Sequence, residues 1–193
     1  MKKIICISIF SLALFNCKNA KEPKAKGHQH PVPKEVASTA NKVLSPHTSV
    51  MTMIGDAHIH IDYSSPGVRD RIIFGGLLPF DAVWKAGAHM ATWIETDKNL
   101  SIAGQVLPAG KYGFFVIPTK SEWTLIFNSN WNQHGKDDYK ESEDVLRFQV
   151  TPKTLDTTKE HLEYSIIKKN DREGEISMAW EKIAVSFPFK VSN

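Results

Sequence analysis

Cysteine is nearly absent from this chain: its 193 residues include only Cys6 and Cys17. Cys6 lies inside an apolar run near the N-terminus, and Cys17 follows that run directly. Residues 43–193 contain no cysteine at all. A disulfide, a thiol nucleophile and a cysteine-ligated zinc site are therefore excluded from that part of the protein.

Long hydrophobic runs are also absent. The longest apolar stretch, Ile4–Phe15, follows Lys2 and Lys3 and is far shorter than the roughly 20 residues of a membrane-spanning helix. A basic start before a short apolar run is typical of an export signal, here residues 1–16. Cys17 stands where a lipoprotein signal is cleaved, which predicts lipidation of Cys17, a membrane anchor and a periplasm-facing place in the cell envelope. An ordinary signal peptide cleaved elsewhere is the alternative.

Residues 17–42 have almost no side chains that could pack a core, and they are rich in Lys, Pro and Ala. This composition predicts a lipidated, disordered tether. The whole chain has a net charge of +3, but the leader contributes two lysines and the tether an excess of four positive charges. Residues 43–193 are therefore left at −3, which removes the electrostatic support for nucleic-acid binding.

Apolar residues in the second half of the chain mostly alternate with polar ones, as they do in half-buried strands. Tyr112–Ile117 is apolar on both faces and is predicted to be a central strand. In the last strand the apolar residues stand at even positions up to Trp180 and at odd positions from Ile183 onward. We therefore predict a bulge at Glu181 and Lys182. Only residues 80–86 and 136–142 are candidates for short helices. The fold predicted for residues 43–193 is a single all-β domain, a jelly-roll-like antiparallel β-sandwich. The side chains predicted to fill its core include Trp123, Phe127, Phe148, Tyr164, Trp180 and Val185.

A His-x-His pair occurs in the segment 56–63. Strand alternation places Asp56, His58, His60 and Asp62 on one face. Two histidines at this spacing are able to chelate zinc, copper or iron, and a nearby carboxylate would complete or orient the site. A solvent-facing strand surface is the simpler interpretation, and a histidine base or ligand contact is the third.

The segment 63–89 combines glycines, prolines, large apolar residues and two arginines, which is typical of a loop folded over the end of a sheet. Its candidate ligand-binding residues are Tyr63, Arg69, Arg71, Trp84 and His89. Constrained guanidinium groups suit carboxylate or phosphate, and a tryptophan face suits a sugar or a cation. Alternatively, the arginines pair with carboxylates and hold the loop. Arg71 immediately precedes an apolar run, so it is predicted to contribute more than Arg69 to ligand recognition or to the order of the loop.

A second polar and aromatic segment, residues 128–147, lies between two predicted strands. Loops of this length either close a binding site or cover one end of a sandwich. Asp144 and Arg147 are predicted to form an ion pair inside the domain.

Several short motifs follow one another along residues 45–187. They are Ser45-Pro46, Tyr63-Ser64-Ser65-Pro66, Arg71-x-Ile73-Phe74-Gly75-Gly76-Leu77-x-Pro79, Val83-Trp84-x-x-Gly87-Ala88, Leu107-Pro108-Ala109-Gly110-x-Tyr112, Glu122-Trp123-Thr124 and Asp144-Val145-x-Arg147. Their number and order resemble a family of exported bacterial proteins, domain of unknown function 2911. The resemblance covers nearly all of residues 45–187 and implies a mostly β exported domain without an assigned activity. This chain differs from the usual family pattern at Lys85, His89 and Met90.

Three functions fit these patterns. The favoured one is a module that binds a small saccharide or anionic metabolite between segments 63–89 and 128–144. The alternatives are a metal-dependent hydrolase or isomerase that uses His58 and His60, and a structural envelope protein. No residue is assigned a catalytic role, and a divalent metal is the one cofactor that the sequence suggests.

Overall fold

A computed structural model describes residues 43–192 of the protein. The predicted signal peptide, the lipidation site Cys17 and the tether lie outside the described residues. All further structural statements concern residues 43–192.

Ten strands form two antiparallel sheets. The six-stranded sheet has the order β1-β2-β3-β6-β7-β8, and the four-stranded sheet has the order β5-β4-β10-β9. The only helix within residues 43–192 is the 3-10 turn Glu141–Glu143, and that part of the chain has no helix long and apolar enough to cross a membrane. The strands are β1 His47–Ile54, β2 Ala57–Ser64, β3 Trp93–Thr96, β4 Asn99–Ile102, β5 Gln105–Leu107, β6 Gly110–Ile117, β7 Trp123–Asn128, β8 Asp144–Val150, β9 Lys153–Lys168 and β10 Glu173–Ser192.

The two sheets pack through the apolar faces that the alternating sequence predicts. Phe187 of the four-stranded sheet lies 5.1 Å from Phe148 and 6.1 Å from Phe127 of the six-stranded sheet, measured between ring centroids. The predicted all-β antiparallel sandwich is confirmed. All six side chains predicted for its core are at most 8 % exposed: Trp123, Phe127, Phe148, Tyr164, Trp180 and Val185.

A bulge in β10 brings the apolar residues before and after it to the same face of the sheet. The pairing of β10 with β9 shifts register on both sides of Glu181, and the backbone of Glu181 has φ +55°. An extra residue at a bulge reverses the face on which the following side chains point. As a result, Trp180 before the bulge and Val185 after it are both buried in the same core.

The predicted central strand Tyr112–Ile117 corresponds to β6, which lies between β3 and β7. Its inner residue Phe114 contacts the sandwich core. Its outer residue Phe115 is completely buried as well, in a small second cluster with Ile126 and Ala91. We call the face of the six-stranded sheet that points away from the four-stranded sheet the outer face. Over β6 and β7 this outer face is covered by loop residues that include Tyr139.

Residues 80–86, a candidate short helix in the sequence, form no helix. Asp81 and Ala86 have positive φ, which right-handed helical residues do not adopt. The backbone of Trp84 instead forms an isolated antiparallel bridge to Val116 of β6, with both N–H···O distances 2.8 Å. Pairing with the sheet therefore replaces the local helical hydrogen bonds. The second candidate, residues 136–142, overlaps only the start of the 3-10 turn.

Candidate functional site

The segments 77–85 and 134–137 meet over the outer face of the sheet and enclose a cleft of about 340 Å³. This volume lies at the lower end of the range typical of small-molecule sites. We use "the cleft" for this cavity throughout. Its lining combines apolar residues with charged or ionisable ones; the lining residues are Leu77, Leu78, Pro79, Ala82, Val83, Trp84, Lys85, His134, Gly135, Lys136 and Asp137.

The first wall of the cleft is fixed to the sheet by Trp84. Its backbone pairs with Val116, and its indole N–H donates to the Gly87 carbonyl oxygen at 3.1 Å. The ring is stacked on Trp180 with 5.7 Å between centroids and is only 6 % exposed. This ring therefore belongs to the core and contributes an edge to the cleft rather than an open stacking face.

The second wall is held by backbone hydrogen bonds to residues 89–91, which follow the first wall in the sequence. Ala91 N–H donates to the Gln133 carbonyl oxygen at 3.0 Å, and Gly135 N–H donates to the His89 carbonyl oxygen at 3.0 Å. Gly135 has φ +73°, a left-handed conformation that favours glycine. The two loops predicted to surround a ligand are thus brought together by direct main-chain pairing.

Lys85 is the most constrained charge in the cleft. Its ammonium group donates to the His89 carbonyl oxygen at 2.6 Å. Burial lowers the pKa of Lys85, and the nearby carboxylate of Asp137 acts in the opposite direction. An ammonium group has three donors, so two remain available for a ligand. His134 and Lys136 are exposed, and they add basic groups against the single carboxylate of the cleft, Asp137.

The base of the 129–143 loop is closed by a network around Asp144. The carboxylate accepts hydrogen bonds from the Tyr139 hydroxyl at 2.9 Å and from the Asn128 amide at 2.8 Å. Arg147 lies 3.3 Å from the same carboxylate, which confirms the predicted ion pair. Burial, with the adjacent Asp144 carboxylate, raises the pKa of Tyr139 well above its ordinary value. This network holds the loop that carries His134 to Asp137.

The five residues predicted for ligand binding do not converge on one point. Tyr63 is buried in the core, and its hydroxyl accepts the Tyr164 backbone N–H at 3.3 Å. His89 is exposed and takes part in the loop contacts through its backbone. Of the five, only Trp84 lines the cleft, since Tyr63, Arg69, Arg71 and His89 are not among its lining residues.

The two arginines differ as the sequence suggests. Arg71 is partly buried and donates to two carbonyl oxygens of its own loop, Nε to Val68 at 3.0 Å and Nη2 to Gly67 at 2.7 Å. Arg69 is exposed, and its backbone N–H donates to the Glu160 carboxylate at 3.0 Å. Arg71 therefore orders the loop from within.

Sequence reasoning identified both segments that form the cleft but few of the residues that line it. Of the candidate ligand-binding residues only Trp84 is among them. Val83 belonged to a family motif, whereas Lys85, His134, Lys136 and Asp137 lay in the two segments without a predicted ligand contact. The informative signal was Gly135 after His134, because a glycine inside a polar loop often marks a left-handed turn or a close backbone approach.

His58 and His60 lie on the outer face of β2, as alternation predicts, with 6.1 Å between their ring centroids. Within residues 43–192 no group of three or more histidine, cysteine, aspartate or glutamate side chains is placed to hold a metal ion. A zinc hydrolase site normally has three protein ligands. The described part of the chain does not assemble such a set around the His-x-His pair.

Comparison with known proteins identifies the family of this chain. No curated protein and no solved structure matches the chain significantly. The profile of a family described as "Protein of unknown function (DUF2911)" matches residues 45–189, which is well over half of the chain. The match spans all ten strands except the end of β10, and it includes both loops of the cleft. The protein therefore belongs to the DUF2911 family, as its motifs predicted.

Proposed function

We propose that the protein is an envelope lipoprotein whose β-sandwich binds a small anionic metabolite with an apolar body in the cleft. The observation that carries this proposal is the size and lining of the cleft, a partly open volume of about 340 Å³ whose lining combines aliphatic side chains with Lys85 and other basic groups. Apolar concave sites with a few placed polar groups are the usual form of small-molecule sites.

The charges favour an anion. Lys85, Lys136 and His134 are basic, whereas Asp137 is the only carboxylate in the lining. Lys85 is held in place by its bond to the His89 carbonyl oxygen, so it loses less side-chain entropy than a free lysine when it contacts a ligand. Partial burial also strengthens a charge-assisted hydrogen bond from its ammonium group.

The apolar lining residues of the cleft favour a ligand whose anionic group is attached to an apolar body. Leu78, Pro79 and Val83 offer aliphatic surface that a fully hydroxylated sugar would not use. Saccharides usually stack on an open aromatic ring, and Trp84 is stacked on Trp180 instead. The ligand class that fits is a carboxylate or phosphate attached to a short aliphatic or aromatic body.

Isothermal titration with 3-phenylpropionate, with its neutral amide and with glucose tests this ligand class. The carboxylate should bind more tightly than the amide, and glucose should not bind. Lys85→Gln should weaken carboxylate binding by about fivefold to a hundredfold, the usual range for losing one charge-assisted hydrogen bond. Lys153→Gln is the matched control, because Lys153 is exposed on β9 and does not line the cleft. Equal binding of acid and amide, or equal losses in both variants, would reject the proposal.

The proposed lipid anchor has a separate test. Cys17→Ser removes the acylation site that the leader predicts, so the variant should move from the membrane fraction to the soluble fraction. Thermal unfolding of the variant should match that of the parent protein, because Cys17 lies outside the sandwich domain. A variant that still sediments with membranes would contradict the anchor and leave the cleft proposal intact.

A further inference from the structure

The uncovered part of the outer face carries two methionines beside the two histidines. β1 and β2 pair antiparallel in a register that places Met53 opposite His58 and Met51 opposite His60. Directly opposed residues of an antiparallel pair point to the same face, with Cβ atoms about 4.5 to 5.5 Å apart. The inner face of the same strand is filled by Ile59 and other core residues, so these four side chains form one outward-facing cluster.

The spacing of the histidines suits a single bound ion. An imidazole nitrogen lies about 1.1 Å from its ring centroid and a metal–nitrogen bond is about 2 Å long, so two coordinated rings have centroids at most roughly 6.3 Å apart. The centroids of His58 and His60 are 6.1 Å apart. When each ring turns one nitrogen toward a shared ion, this separation requires a wide nitrogen–metal–nitrogen angle. A tetrahedral zinc ion would bring the centroids to roughly 5 Å and would require further nitrogen, oxygen or thiolate ligands.

One of the two imidazoles has an unused polar atom. Nε2 of His60 is buried and has no hydrogen-bond partner. The ring is held edge-on against Trp93, with 4.8 Å between centroids. A buried polar atom without a partner is destabilising, and a ligand bound to it would remove that cost. His47, on the same hairpin, differs in this respect because its Nε2 is bonded to Asp62 at 2.9 Å.

We propose that the outer face of the β1–β2 hairpin binds one Cu(I) ion through His58 and His60, with the thioether of Met51 or Met53 completing the site. Thioether sulfur is a soft ligand that selects Cu(I), and imidazole nitrogen suits copper as well. Methionine has three flexible side-chain bonds, so its sulfur reaches an ion held by the opposed histidine. Met51 and Met53 are 56 % and 49 % exposed, which leaves both thioethers accessible. This site is separate from the cleft, whose lining includes none of the four residues.

The test is anaerobic titration of the full chain with Cu(I) in competition with a chromophoric Cu(I) chelator. All samples carry Cys6→Ser, Cys17→Ser, His28→Ala and His30→Ala, so that residues outside 43–192 do not contribute thiolate or imidazole ligands. We expect one Cu(I) per chain. The double variant Met51→Leu/Met53→Leu should weaken Cu(I) binding by about tenfold or more, because leucine keeps the shape but removes the sulfur.

His58→Ala and His60→Ala should each weaken Cu(I) binding by a similar or larger factor, while His47→Ala should leave it unchanged. Circular dichroism checks the fold of each variant. If His60→Ala unfolds the protein through its contact with Trp93, the methionine double variant decides the question, since both methionines are exposed. Sulfur and nitrogen neighbours of copper in X-ray absorption spectra would support the site. Less than one-tenth Cu(I) per chain, unchanged binding in the methionine variant, or an equal loss in His47→Ala would overturn it.

Discussion

The two halves of the outer face of the six-stranded sheet differ in burial: loops cover one half and leave the other exposed. Over β6 and β7, Phe115 and Ile126 are fully buried beneath loop residues. Over β1 and β2, His58 and His60 are only half-buried, and the neighbouring methionines are exposed. One face of the sheet thus has an apolar half that is buried beneath the loops and an open half that carries histidine and methionine side chains. The cleft lies among the covering loops, and the proposed copper site lies on the open half.

This difference follows from the sequence of the strands. β2 alternates strictly between apolar and polar residues, so only one of its faces is built to be covered. β6 and β7 are apolar on both faces at several positions, and such strands are stable only when something covers the second face. The chain supplies that cover with two loops, and the space left between the loops is the cleft.

The largest expected effect comes from the covered half. Phe115→Ala should lower the free energy of unfolding by about 3 to 5 kcal/mol, because a buried aromatic side chain is lost and a cavity remains. Phe148→Ala, in the core between the sheets, serves as a reference and should cost about the same. Chemical denaturation of both variants measures the difference. If Phe115→Ala cost only a few tenths of a kcal/mol, the loops would not form a packed cover.

The cover should also weaken at alkaline pH. Tyr139 lies in it, and burial together with Asp144 raises the pKa of its hydroxyl above the unfolded value of about 10. The unfolded chain therefore releases this proton first, so stability is fully present below pH 10 and falls as the pH rises further. The contribution is at most about 1.4 kcal/mol per pH unit, and smaller because the ring is partly exposed. Unfolding between pH 9 and 11 should show a shallower decline in Tyr139→Phe than in the parent protein.

Arg71 and Arg69 provide a smaller test of how the first loop is ordered. Arg71→Lys should cost about 1 kcal/mol, because an ammonium group cannot reproduce the two bonds of the guanidinium to Val68 and Gly67. Arg69→Lys should change the free energy of unfolding by less than about 0.5 kcal/mol, since Arg69 is exposed and bonds through its backbone. Equal costs for both changes would mean that the side-chain bonds of Arg71 do not order the loop.

The strands, the core and the two segments that form the cleft could be predicted from the sequence, but most of the residues that line the cleft could not. Alternation identified the inner faces, and the change of parity between Trp180 and Val185 located the bulge at Glu181. These features depend on local periodicity, which a sequence shows directly. The positions of the loops depend instead on pairings between distant residues, such as Trp84 with Val116 and Met90 with His134.

Because loop positions depend on pairings between distant residues, the candidate ligand-binding residues do not lie together in the structure. Tyr63, Arg71 and Trp84 lie in a segment of unusual composition. In the structure, Tyr63 and Trp84 pack in the core and Arg71 orders its loop. Unusual residues in a loop indicate a constraint on the backbone, but they do not tell whether the constraint serves a ligand. Lys85 was identifiable as a charge beside a tryptophan. Its facing partners Lys136 and Asp137 were visible only once the two loops were brought together.

The central claim is that the cleft binds a small anion with an apolar body. Its most direct test is a titration of the isotope-labelled protein with 3-phenylpropionate, followed by backbone and methyl chemical shifts. The account predicts saturable shifts at Val83, Lys85 and Gly135 around the cleft, with Met53 and His58 on the open half unchanged. Shifts centred on the open half, or no saturable shifts at all, would contradict it.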